Sequence, residues 1–199
     1  YFKFRTEHSS INGHLRALDY HNSRTSIDGD VEIQLGHNDA LLLANMTDNL
    51  PKELTILYPT ETLSASIAID GPIDKLQISQ CNISLPTAFD INLKGSMYAI
   101  TDSRRREASC HLQAQTYNLD FLAKATESIG KERITIPHGI TCVGSFHYAP
   151  DTIEANCSLT INQGTVSFGL GFRPSAKLYT LQAQIDSLNM RHILPERDF

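Results

Sequence analysis

Side chains capable of chemistry occur along the chain of 199 residues, but they are not grouped for it. Its eight histidines, at 8, 14, 21, 37, 111, 138, 147 and 192, include no pair at the short spacing that a divalent metal site uses. Its four cysteines include no CxxC pair, and they are too few and too scattered for a disulfide framework. Gly164, Gly169 and Gly171 lie in an alternating hairpin with no helix following and no lysine directly after a glycine, which argues against a phosphate-cradling loop. There is no GxSxG nucleophile elbow. The carboxylate pairs Asp28/Asp30 and Glu61/Asp70 read as turn residues, and Arg104-Arg105-Arg106 as a solvated loop, with lipid phosphate as the alternative contact. The sequons at Asn45, Asn82 and Asn156 mark glycosylation only in a secreted eukaryotic chain. The expectation is a non-enzymatic protein without metal or cofactor.

Composition narrows the partners. A formal charge of −5 argues against nucleic acid, since phosphate contact needs a basic face. At 41% hydrophobic and 20% charged the chain is globular in character. No apolar run approaches the ~20 residues that span a bilayer. Cys110, Cys142 and Cys157 stand where aliphatic residues stand in neighbouring strands, so they read as small buried hydrophobes with free thiols.

The elements that would position these residues are set by repetition and alternation. Asn118 to Gly144 restates an earlier stretch: an offset of 79 aligns Ala44 with Ala123, Thr47 with Thr126, Leu50 with Ile129 and Lys52-Glu53 with Lys131-Glu132. One insertion then aligns Leu54-Thr55-Ile56 with Ile134-Thr135-Ile136, and a third copy starts at Leu188 and is cut short. A period of roughly 70–80 residues predicts one elongated array with units 1–60, 61–130 and 131–199, and a segment of a longer protein. Each unit holds several strands and a short helical corner, with two or three such corners in all.

Strand patterns dominate. Residues 2–7 and 14–20 read as strands joined by a turn at Ile11-Asn12-Gly13, and Asp28-Gly29 as a turn into the alternating run from Val31 to Leu35. Asn38 and Asp39 cap a short helix that ends before Pro51, and Leu54 to Leu57 is extended. Leu63 to Ile69, Phe89 to Ala99 and Ala108 to Ala114 alternate. The last third is the most regular. Ile153, Ala155, Cys157, Leu159 and Ile161 face one way, answered by Val166, Phe168, Leu170 and Phe172 and then by Tyr179, Leu181, Ala183 and Ile185, with polar residues between them throughout. That is a one-sided antiparallel meander of about a dozen strands.

Something must cover the apolar side. With no tryptophan and few helices, the strands must curl over their own apolar face. Alternation alone favours a sandwich with a filled core. Small inner residues such as Ala155, Cys157 and Ala183 instead leave room for an apolar groove that would take an acyl chain.

The stretch from about Leu63 to Phe199 resembles the AsmA-like superfamily, in its translocation and assembly module branch. The resemblance rests on Ala65 to Leu76 (ASIAIDGPIDKL), Leu93 to Met97, Ile136 to Gly144 and the closing Leu181 to Pro195. It implies a β-taco, a folded-over antiparallel sheet with an apolar groove. The family's proteins are periplasmic, anchored in the inner membrane by an N-terminal helix absent here. They meet an Omp85-type outer-membrane partner through a region also absent here. Their role is to carry phospholipid acyl chains toward the outer membrane or to assist protein assembly there. The groove-lining residues would be Ile153, Ala155, Cys157, Leu159, Ile161, Val166, Phe168, Leu170, Phe172, Tyr179, Leu181, Ala183 and Ile185. Three readings stay open: a lipid-carrying groove, a scaffold that adds strands to client proteins, and a structural β-module with a filled core.

The shared basis of all three is an all-β chain. Far-ultraviolet circular dichroism of the purified protein should show a strand-dominated spectrum, and a helix-dominated one would rule out every reading above.

Overall fold

The structure, a computed structural model, describes residues 1–18, 25–46, 56–129, 135–162 and 164–187. The strands are β1 (Phe2–Arg5), β2 (Ser10–Leu18), β3 (Ser26–Leu35), β4 (Leu63–Pro72), β5 (Lys75–Leu85), β6 (Phe89–Tyr98), β7 (Glu107–Thr116), β8 (Thr141–Ala149), β9 (Thr152–Ile161), β10 (Gly164–Arg173) and β11 (Leu178–Asp186). Helix α1 (His37–Asn45) follows β3, and α2 (Asp120–Ile129) follows β7. All eleven strands form one sheet in chain order, each antiparallel to the next. The sheet is curled and does not close, since among the described residues β1 and β11 each pair on one side only. Neither a barrel nor a two-sheet sandwich forms among the described residues.

Several expected turns lie elsewhere. Ile11-Asn12-Gly13 is inside β2, and the first turn is Thr6–Ser9. That turn closes because the Thr6 N–H donates to the Ser9 carbonyl and the Ser9 N–H to Thr6 Oγ1, both at 2.9 Å. Both hydroxyls also donate to the Asp39 carboxylate in the first turn of α1. Those hydroxyls of Ser9 and Thr6 hold the Asp39 carboxyl below its ordinary value. The docking is therefore complete above the ordinary carboxylate range and is lost as acid protonates the group. Gly13 serves a different end from turning: a Cβ there would lie 2.6 Å from Cζ of Phe2, so the glycine admits the ring.

Asp28-Gly29 is likewise interior to β3, which moves Asp28 and Asp30 from a turn onto a strand face beside His14. Asp70 also lies within a strand, β4. Ile56 and Leu57 are helical rather than extended. Asn49 to Thr55, Lys131 to Ile134 and Leu188 to Phe199, on which much of the repeat alignment rests, lie outside the described residues. So do His21, His192 and Gln163.

In β5 the alternation gains one residue: Ile78 pairs with Gly95 and Cys81 with Leu93, so Ser79 and Gln80 together oppose Lys94. This β-bulge keeps the apolar residues on one face on both sides of it. Helix α2 begins where the Asn118 side-chain oxygen accepts the Asp120 N–H at 2.8 Å. Both helices follow strands that run to the same end of the sheet. There the Tyr58 ring lies 5.8 Å from the His37 ring and 6.0 Å from Phe121, edge-on to the latter.

Burial concentrates at that end. Leu85 is the one large side chain fully buried among the described residues, with Ala40, Ala88, Ala123 and Ile161 near it in topology. The loops are knitted by the Ala88 N–H to Leu85 carbonyl bond and the Tyr117 N–H to Ala88 carbonyl bond, both 2.8 Å. Leu85→Ala should therefore lower stability by about 2–5 kcal/mol. Chemical denaturation would measure this, and a loss no larger than that of Ile67→Ala, at a half-exposed position, would show that this end is not the anchor.

Candidate functional site

The site is a face rather than a pocket. Strand register places cross-strand partners on the same side of a sheet, so the pairing lists which residues share it. Phe172 pairs with Ile153 and Tyr179, Leu170 with Ala155 and Leu181, Phe168 with Cys157 and Ala183, and Val166 with Leu159 and Ile185. Ile161 closes the series opposite Gly164. All of the residues expected to line the groove therefore lie on one side of β9, β10 and β11, in rows that cross the strands.

The rows continue beyond them. Strand β8 adds Tyr148, Phe146, Gly144 and Cys142 to successive rows. Strand β7 adds Ala108, Cys110, Leu112 and Ala114, and β6 adds Met97, Gly95, Leu93 and Ile91. Through β5, β4, β3 and β2 the same side carries Cys81, Ile67, Val31 and Gly13 in one row, which ends on Phe2 of β1. No residue of this face is charged on any of the eleven strands. Ten inter-strand steps of about 4.8 Å give the face a length of about 48 Å along the sheet. That is longer than the ~15 Å depth of one leaflet's hydrocarbon.

Sequence reasoning placed Cys142 in a strand but did not extend the apolar face along β8. The polar side of β8 carries Val143, which is 58% exposed, so the alternation from Cys142 to Tyr148 is blurred. The pairing of Gly144 with Cys157 and of Phe146 with Ala155 is the signal that recovers it. Cys81 was hidden in the same way by the extra residue of the β5 bulge.

Exposure separates this face from an ordinary core. In its two central rows no side chain is buried among the described residues. Phe146, Phe168 and Leu170 are exposed, the last to 50%, and Tyr179, Leu181, Ala183 and Ile185 on the edge strand are exposed as well. Val166, Ile161, Leu85 and Leu76, nearer the strand ends, are buried. Phe172 and Tyr179 stack with centroids 4.5 Å apart. On β7 the apolar face is the more sheltered one: Ala108, Cys110, Leu112 and Ala114 are half-buried while Glu107, His111, Gln113 and Gln115 are exposed.

The opposite face is polar and self-paired. The Gln80 amide donates to Ser66 Oγ at 3.2 Å, and hydroxyl pairs join Ser96 to Ser109 and Ser158 to Ser167 at 3.2 and 3.1 Å. Asn82 and Asn92 bond across β5 and β6. A depression of about 570 Å³ crosses β7 to β11 on this side, lined by His111, Ser145, Asn156, Ser158, Ser167 and Gln182. The hydroxyls of Ser84 and Tyr117 hold the Asp90 carboxyl below its ordinary value at the helix-bearing end. Among the described residues no three histidine, cysteine or acidic side chains are placed to hold a metal ion. No helix there is long and apolar enough to cross a membrane. The loop carrying Arg104 to Arg106 is held locally, with Arg105 Nε 2.9 Å from Asp102 Oδ2 and Arg106 Nε donating to the Ile100 carbonyl at 3.0 Å.

Comparison with known proteins finds no matching family model, curated protein or solved structure.

The arrangement can do one thing chemically: offer a continuous apolar surface without charge. Its openness predicts that Leu170→Glu leaves a folded protein, destabilised by no more than about 2 kcal/mol, because the carboxylate can reach water. Leu85→Glu, at a fully buried position, should prevent folding. Thermal unfolding of the two variants gives the comparison. Equal loss of structure in both would mean that the central rows are packed.

Proposed function

We propose that this chain is a non-enzymatic, TamB-like segment of an AsmA-like protein, in which the apolar face is the inner wall of a β-taco groove that carries phospholipid acyl chains. The observation that carries the reading is the uninterrupted apolar face, uncharged on every strand and unburied in its central rows. An exposed apolar surface of this extent is seldom left without an occupant. Acyl chains fit it because they ask for length and apolarity and for no hydrogen bonds. In this reading the curled sheet folds over the chains while its polar face meets water. The full-length protein bridges the inner and outer membranes through the periplasm and supports outer-membrane biogenesis, and the repeats of about 70–80 residues extend the groove along its length.

One feature favours a second reading, a scaffold for outer-membrane protein assembly and translocation by strand addition. Among the described residues the outer edge of β11 pairs with no strand over nine residues that include no lysine, arginine or proline. Edges of that kind readily accept another strand.

A photoreactive phenylalanine analogue at Phe168 in the full-length protein, irradiated in cells that carry it, distinguishes the two. The lipid reading expects a phospholipid adduct that disappears with Leu170→Glu, and lipid in organic extracts of the purified protein. Adducts only to polypeptide would support the scaffold. No adduct of either kind would leave the apolar face without a cargo and refute both readings.

A further inference from the structure

All four cysteines lie on the apolar face, on β5, β7, β8 and β9, yet only two of them meet. Cys142 Sγ and Cys157 Sγ are 3.3 Å apart. Their strands are neighbours in the sheet, and the residue directly opposite Cys157 is Gly144. With no side chain at that position, Cys142, one row away, leans across to the other sulfur. Cys110 instead faces Phe146 and Gly95, and Cys81 faces Ile67 and Leu93, so neither has sulfur at a paired position.

We propose that Cys142 and Cys157 are a disulfide-forming site, which closes across β8 and β9 when the folded chain meets an oxidant that itself carries a disulfide. Closing the gap to the ~2.05 Å of an S–S bond asks for a relative movement of about 1.2 Å, within the reach of side-chain rotation combined with a small shear of the two strands. Both side chains are half-buried on a face open to solvent, so a small oxidant can reach them.

The exchange runs in two steps. One sulfur of the pair, deprotonated as it attacks, bonds to one sulfur of the oxidant, whose S–S bond breaks and releases one thiol. The other sulfur, 3.3 Å away and likewise deprotonated as it attacks, then displaces the second thiol from the first. Burial, and then the contact with Cys157, pushes the Cys142 thiol up to about 11. Two S–H bonds of the protein are lost and one S–S bond is formed. The oxidant's disulfide is reduced to two thiols, which take up the two protons and two electrons. The product ties the β8–β9 hairpin on its apolar side and withdraws two polarisable thiols from the groove wall.

Incubating the folded full chain with oxidised glutathione, blocking the remaining thiols with an alkylating reagent and determining the mass tests the proposal. Cleavage at Phe146 and Tyr148 separates the two cysteines for mapping. The expected product has lost two hydrogen atoms, has Cys142 joined to Cys157, and carries the alkyl group on Cys81 and Cys110. In Cys142→Ser and in Cys157→Ser alike, the remaining cysteine of the pair should stop at the glutathione adduct. After unfolding in urea the preference for this pair should disappear. A folded wild-type chain that stops at a glutathione adduct on either cysteine of the pair, or that joins Cys81 or Cys110 as fast, would overturn the assignment.

Discussion

Every feature of this molecule depends on one constraint: side chains on a strand alternate sides, and eleven strands must keep the same phase. A slip of one residue in a single pairing would put that strand's polar side chains among apolar neighbours and its apolar ones in water. Chain-order antiparallel pairing guards against this where a short turn sets the register of the next strand from the last, as between β4 and β5 or β8 and β9, while the connections carrying α1 and α2 are longer. The one departure is compensated where it occurs. The Ser79-Gln80 bulge absorbs an extra residue in β5 and returns Cys81, Ile83 and Leu85 to the apolar side.

The same constraint explains where stability is concentrated. A single sheet has no second layer, so its apolar face is sheltered only by its own curl and by the connections at its ends. The two helices and the loop from Pro86 to Ala88 lie at one end, and Leu85 is fully buried there. Hydrogen bonds from Ala88 and Tyr117, and the docking of Thr6 and Ser9 on Asp39, tie the connections at that end together. The central rows are left unburied. An anchored end thus stands beside an unburied span.

Cysteine is an instructive case. As a small, weakly polar residue it substitutes for an aliphatic one on this face, and all four thiols fit that description. Position then separates them chemically. Gly144 opposite Cys157 lets Cys142 reach across, while Phe146 beside Cys110 and Ile67 beside Cys81 supply carbon neighbours instead. Identical side chains on one face thus differ in surroundings through the neighbour that the adjacent strand supplies.

Much of this was legible in the chain before folding. Period-two alternation is a local property of extended backbone, so the all-β class, the one-sided meander and the common face of Ile153, Leu159, Val166, Phe168, Leu170 and Leu181 all follow from residue order. The short helix after β3 was visible from Asn38 and Asp39 ahead of an apolar run, although the helix begins at His37 and both residues lie inside its first turn rather than capping it. Register, closure and shelter were not legible, because they arise between segments distant in sequence. A glycine that admits a neighbour's ring looks the same as a glycine that makes a turn, so Gly13 and Gly29 suggested turns that lie elsewhere. Only pairing shows that Phe2 fills the space above Gly13, that β8 joins the face despite Val143, and that Cys142 meets Cys157. Only the assembled sheet shows Leu85 enclosed while Leu170 stays half in water, because exposure depends on what stands opposite a side chain rather than on what precedes it.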